Sequence, residues 1–251
     1  MTSHSQEFDM LSLLDNHTGP DTPMPRFKSP SVLFTMNETA RERKLRMLTE
    51  MTRTCMACSM CELGRKPAVK GQNERDPHVL SNTNPSKVII IGQNPGWDEL
   101  EQRTPFVGQS GQNFDKEIHR NGVTRKDLYI TNIVKCFTQG NAAPSSDHVE
   151  RCRPFLLMEI NLLRPTVVVT LGAVSFKALC PGLSYQESLG KIVESKVLNV
   201  KVFPIYHPSP MNLADATRKA AFQEQVKLMC GIVKSLKTRE DYEESTSNAA
   251  H

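Results

Sequence analysis

Lys87-Val-Ile-Ile-Ile91 runs directly into Gly92-Gln93-Asn94-Pro95-Gly96. Four β-branched residues in a row read as a strand covered on both faces, and the Gly/Pro loop stops it. Val167-Val-Val-Thr-Leu171 repeats that pattern. Val200-Lys-Val-Phe-Pro-Ile-Tyr206 closes a third such segment and runs into His207-Pro208-Ser209-Pro210. From residue 86 onward the pattern reads strand 87–92, helix 110–121, strand 128–134, helix 147–163, strand 166–172 and helix 173–180. A hairpin-like stretch over 189–206 and a last helix over about 214–236 follow. Alternation of this kind predicts an α/β fold, a parallel sheet flanked by helices. Loops at the carboxyl ends of parallel strands are where such sheets place ligands. The amides of Gln93 and Asn94 in one loop and the imidazole of His207 in another are therefore expected to converge on one small polar ligand.

The chain has 251 residues, 38% of them hydrophobic and 23% charged, enough for one substantial core plus tails. No apolar run approaches the roughly 18 residues of a membrane span. The start, MTSHSQEFDMLSLLDNH, lacks the basic region and apolar stretch of a secretory signal. A cytoplasmic (nucleoid-associated) or nuclear protein is expected, neither secreted nor membrane-bound, and a monomer. The net charge of +4 is uneven: −1 over residues 1–50, +7 over 51–235 and −2 over 236–251. A basic body between acidic ends is compatible with a nucleic-acid partner.

Residues 1–35 carry Pro20, Pro23, Pro25 and Pro30 among polar residues and read as a disordered arm. Within it Met10-Leu-Ser-Leu-Leu14 is an apolar island. A chance cluster is the simpler reading. A docking peptide for a sliding clamp or another replication or repair protein is the alternative, by loose resemblance to the short Leu/Phe motifs that bind bacterial clamps. Asn37 is placed to cap a helix through Leu45, Leu48 and Met51. The domain is expected over 36–236, with a polar, acidic, disordered tail over 237–251.

Seven cysteines, an odd number in a chain without a secretion signal, argue against a disulfide framework. Cys58 and Cys61 have C-x2-C spacing, preceded by Cys55; Cys136 and Cys152 lie beyond the first strand and loop. Two thiolates from one tight turn plus two more suit zinc or an iron–sulfur cluster equally. Cys136 and Cys152 as buried core thiols is the competing reading. Cys180 and Cys230 fall in helical apolar patterns and read as core.

Six segments then occur in a familiar order: CSMCELGRKPAVKGQ, VIIIGQNPG, TPFVGQSGQNFD, LYITNIVKC, HVERCRPFLLMEINLLRPTVVVTLG and VFPIYHPSPMN. From about Cys58 to Val233 the chain resembles the uracil-DNA glycosylase superfamily, most nearly its iron–sulfur-containing family 4. The resemblance implies a three-layer α/β/α fold with a central, mostly parallel four-stranded sheet. It implies a [4Fe–4S] cluster on Cys58, Cys61, Cys136 and Cys152, zinc being the alternative ion, with a structural role. It implies a monofunctional enzyme that releases uracil from DNA, since it places no lysine as a Schiff-base nucleophile.

By the same resemblance Phe106 stacks on the flipped base, Asn132 reads its edge with Gln93 beside it, and His207 donates to the base O2. Met211 falls where relatives insert an apolar wedge, next to Ser209, and Gly108, Ser110 and Gly111 open a helix whose amides can hold a phosphate. The first loop departs from the family-4 pattern GEAPG. Its asparagine before the proline is similar to the mismatch-directed and single-strand-selective branches. Asn94 has no useful basicity and can only orient water, so a slower enzyme is expected. Gly96 stands where the main uracil branch has a bulky tyrosine, leaving room beside base C5; a pocket open to uracil and C5-modified pyrimidines is expected, unless a neighbour such as the adjacent Trp97 fills that space. A non-catalytic DNA-binding relative and a glycosylase for another damaged or hypermodified base are the rival readings.

Overall fold

Among the described residues the buried strand Val88–Gly92 (β1) joins Tyr129–Asn132 (β2), Val167–Leu171 (β3), Val193–Ser195 (β4) and Val200–Ile205 (β5) in a five-stranded sheet of order β2-β1-β3-β5-β4. β1 pairs in parallel with β2 and β3, and β3 with β5, which gives the expected four parallel strands. The fifth, β4, is a three-residue antiparallel edge strand paired with β5; it is the first arm of the hairpin-like stretch and lies outside the four-stranded expectation. The computed structural model describes residues 39–56, 86–102, 104–138, 140 and 142–248. The arm over 1–35 with Met10–Leu14, and Cys58 and Cys61, lie outside the described residues.

Strand periodicity divides the core. Ile89 and Ile91 face a cluster with Leu48, Met51, Phe155, Leu156 and Phe176. Val88 and Ile90 face the other, with Phe114, Ile118, Phe222, Val226 and Met229. The first layer is built by helices Ala40–Met56 (α1), Ser146–Leu163 (α4) and Ala173–Leu179 (α5), the second by Gln109–Arg120 (α3) and Ala216–Asn248 (α8). The short helices Trp97–Gln102 (α2), Tyr185–Ser188 (α6) and Pro210–Ala214 (α7) lie in the connections.

The N-cap of α1 is Thr39 rather than Asn37. Its hydroxyl accepts the Glu42 N–H (3.2 Å) while the Glu42 carboxylate accepts the Thr39 N–H (2.8 Å), a capping box. The last helix continues to Asn248, past residue 236 where the sequence pattern ends it. Its later turns are charged and carry no apolar stripe to betray their helicity. Cys180 and Cys230 are core residues, and burial pushes both thiols up, Cys230 to about 11.

The chain steps from β1 to β2 on one side, then returns to place β3 on the other. That reversal opens a crevice at the carboxyl ends of the strands, where this architecture binds ligands. No helix among the described residues is long and apolar enough to cross a membrane.

Candidate active site

A cavity of about 220 Å³ at those strand ends is lined by Gln93, Asn94, Gly96, Glu99, Phe106, Ser110, Asn132 and His207. Residues from four separate segments therefore meet in one place. Gly92 and Asn132 are register partners at the ends of β1 and β2. A side-chain carbon on Gly92 would overlap the Asn132 amide oxygen, so only glycine there lets that amide point into the crevice. Asn132 is 2% exposed.

Asn94 is held on three sides. Its Oδ1 accepts from Gln93 Nε2 (2.8 Å), and its Nδ2 donates to the Pro95 carbonyl (2.9 Å) and to Thr138 Oγ1 (2.8 Å). Both amide protons are used, and one lone pair of Oδ1 is left for a ligand or water. Gly96 is the N-cap of α2, and Glu99, at its third position, reaches back to the Gly96 N–H (2.9 Å). The other Glu99 oxygen accepts the N–H groups of Val107 and Gly108 (2.8 Å each). One carboxylate thus joins the first loop to the Phe106 loop. Trp97 does not fill the space beside Gly96: it is 50% exposed, off the cavity, edge-on to Phe137 at 6.1 Å.

Phe106 sits in the left-handed region at φ 61°, uncommon for a bulky residue. Its ring is edge-on to Phe114 (5.9 Å) and His207 (6.0 Å). Arg125 secures the turn by donating to the carbonyls of Pro105 (2.8 Å) and Phe106, while its Nε is held by Asp115 (2.7 Å). A Cβ on Gly111 would overlap the Phe106 carbonyl, so Gly111 serves this close packing. Of the glycine loop, the Gly108 amide is taken by Glu99, Ser110 lines the cavity, and no side chain caps α3.

His207 follows β5 with its Cβ against Gly172, whose φ of 89° suits glycine. Burial pushes its imidazole below the ordinary value of 6.5, so it is neutral at pH 7. The loop is braced from both sides: Asn113 donates to the Pro208 carbonyl and Asn212 to the His207 carbonyl, 3.0 Å each. Ser209 caps α7 by accepting the Asn212 N–H (3.4 Å), and Met211 projects from that helix 81% exposed.

Cys136 and Cys152 are both buried on the α1/α4 side. The N–H of Lys135, beside Cys136, donates to Cys152 Sγ at 3.2 Å, a bond that suits a thiolate. α1 packs on α4 and ends at Met56, two residues before Cys58. The thiols of Cys136 and Cys152 suit a thiolate-bound centre, and Cys58 and Cys61, which would complete it, lie outside the described residues. Among the described residues alone, no three metal-ligating side chains surround one point.

Glu99, Thr138, Arg125, Asn113 and Asn212 are absent from the sequence-derived site. Only Glu99 had a local signal, a carboxylate three residues into a helix that starts at a glycine.

The model of the uracil DNA glycosylase superfamily matches residues 79–229. A type-4 uracil-DNA glycosylase of Pyrobaculum aerophilum is 34% identical over 194 residues, covering 74% of this chain and 93% of that protein. That of Thermotoga maritima is 30% identical over 171 residues, 67% and 83% of the two chains. A type-5 uracil-DNA glycosylase of Pyrobaculum aerophilum is 34% identical over 113 residues, 40% and 49%. With the parallel sheet, the two converging loops and the matched span in agreement, the chain belongs to the uracil DNA glycosylase superfamily and sits beside its type-4 members.

Proposed function

We propose that this protein is a monofunctional DNA glycosylase that flips uracil out of DNA, hydrolyses its bond to deoxyribose and leaves an abasic site for base excision repair. The observation that carries this reading is the meeting of Gln93, Asn94, Phe106, Asn132 and His207 on one small cavity. Base release leaves positive charge on the sugar and negative charge on the base, so the site must hold the base, donate to its oxygens and place water. Phe106 offers the stacking face. The Asn132 amide accepts from uracil N3–H and donates to O4, a pattern that cytosine does not match. Neutral His207 donates N–H to O2 as charge gathers there. The free Asn94 lone pair accepts from a water and orients it toward the sugar carbon. Water oxygen bonds to that carbon as the glycosidic electron pair leaves with the base, and the proton shed by the water neutralises the departing uracil anion.

The cavity wall at Gly96 is main chain plus the Glu99 carboxylate, which supports room beside C5 and acceptance of C5-modified uracil. DNA reaches the site across Ser209 and Met211, with Met211 as the wedge; the Gly108 N–H, already bound to Glu99, is not free to hold a phosphate. Next to Ser209 and Met211 a groove of about 400 Å³ carries Lys116, Lys219 and Arg120, the last paired with Glu117, and so supplies net positive charge for the strand. Cys58, Cys61, Cys136 and Cys152 would hold a [4Fe–4S] cluster, zinc being the alternative for the same thiols. When bound, the cluster supplies metal–thiolate bonds that pin the N-terminal segment to α4.

A panel of single- and double-stranded oligonucleotides bearing uracil, 5-hydroxymethyluracil or a thymine mismatch tests this directly. Uracil release with abasic product and no strand cut is expected. Binding without any base release would instead identify a DNA-binding module, and cleavage of unmodified uracil alone would remove the wider pocket.

A further inference from the structure

Lys135 and Glu159 form an ion pair, 2.5 Å apart, in which neither side chain has any exposed surface. Two charges taken wholly out of water are a poor stability device, because an apolar pair of similar volume often does as well or better. The partners of the pair point to a second role. Lys135 Nζ donates to the Asn132 carbonyl (2.8 Å) and to Thr131 Oγ1 (2.6 Å) as well as to Glu159. Glu159 Oε1 accepts from Tyr129 (3.0 Å) and Thr131 (2.9 Å). Every one of these contacts falls on β2 or the residues just after it. Among the described residues β2 pairs with one strand, β1, and Asn132 is its last residue. The ammonium anchors the main chain at the end of β2.

We propose that Lys135, anchored by Glu159, is the positioning residue for the base-reading amide of Asn132, and that through its own main chain it ties this amide to Cys152. The proposal rests on the reading that Asn132 recognises uracil. Loss of the ammonium frees the Asn132 carbonyl, lets the end of β2 shift, and weakens recognition of the base more than the chemical step.

The test compares the wild type with Lys135→Met and with the double variant Lys135→Met/Glu159→Gln. The double variant leaves no unpaired charge, and glutamine Oε1 still accepts from Tyr129 and Thr131. It should fold with a melting temperature close to the wild type, and its metal content should be unchanged, because the N–H to Cys152 is main chain. Its KM for uracil-containing DNA and the dissociation constant for free uracil by calorimetry should each rise about tenfold with a smaller change in kcat. A double variant that binds uracil as the wild type does overturns the proposal. So does one that fails to fold, since the pair would then be structural. A wild type that neither binds nor releases uracil refutes the functional reading itself and the proposal with it, an outcome distinct from both.

Discussion

Thr138 Oγ1 lies 2.8 Å from Asn94 Nδ2 and donates its own proton to the Ala142 carbonyl at 2.6 Å. Because that proton is spent, the hydroxyl can only accept from Asn94. The nitrogen of the amide is therefore fixed toward Thr138 and the oxygen toward Gln93 and the cavity. Thr138→Val removes the acceptor at nearly constant volume and leaves the amide free to turn. Its single-turnover rate on uracil-containing DNA should fall about tenfold with KM little changed, the size expected for one buried hydrogen bond. Thr138→Ser should restore the rate. A Thr138→Val enzyme at full speed would show that the orientation of Asn94 is set elsewhere.

Glu99 fastens the first loop to the Phe106 loop through three N–H groups. Hydrogen bonds to a charged acceptor are worth about 1.5–3 kcal/mol each. Glu99→Gln keeps one oxygen and turns an NH2 group toward amides that also need acceptors. Thermal unfolding should shift downward and KM should rise several-fold as the two walls of the cavity separate. Unaltered melting and unaltered KM would mean that the loops hold their places without this carboxylate.

The sheet was legible because burial on both faces writes itself as consecutive apolar residues, as in Val88–Ile91 and Val167–Leu171. Asn94 and His207 were legible because they stand in short loops directly after such strands. The side chains that hold them were not. Thr138 is 44 residues from Asn94, Asn113 is 95 from Pro208, and no period links such pairs before the chain folds. Glu159 did leave a trace: one carboxylate within the apolar run Phe155-Leu-Leu-Met-Glu-Ile-Asn-Leu-Leu163 is a charge that must be paired. Trp97, the neighbour that could have closed the space beside Gly96, shows the converse. Adjacency to the pocket loop in sequence did not put the indole in the pocket, since the turn into α2 sends it outward to Phe137.

His207 ties stability to pH. Burial lowers its folded-state pKa below 6.5, the ordinary value it regains on unfolding. Above pH 6.5 both states are neutral and its contribution is fully present. As pH falls from 6.5 through the folded-state value, the unfolded chain takes up the proton first, and that stability is lost. His207→Gln should therefore lose less melting temperature between pH 8 and pH 5 than the wild type. NMR titration should place the His207 imidazole below 6.5. A midpoint at or above 6.5 would contradict the buried, neutral donor.

Gly111 and Arg125 share one task, holding Phe106 in its left-handed turn. The Gly111 Cα lies so close to the Phe106 carbonyl that any Cβ would overlap it. Arg125 donates to the same carbonyl, braced by Asp115. Gly111→Ala must push the carbonyl away, and with it the ring that faces the cavity. Uracil binding should weaken about tenfold or more and stability should fall by about 1–3 kcal/mol, the usual cost of overpacking. Arg125→Lys keeps the charge but not the fork that reaches two carbonyls and a carboxylate, so it should weaken uracil binding in the same direction with a smaller loss of stability. Calorimetric titration with free uracil reads the first effect and thermal unfolding the second. If Gly111→Ala lowered stability but left uracil affinity intact, Phe106 could not be the stacking face, and the base would have to lie against another wall of the cavity.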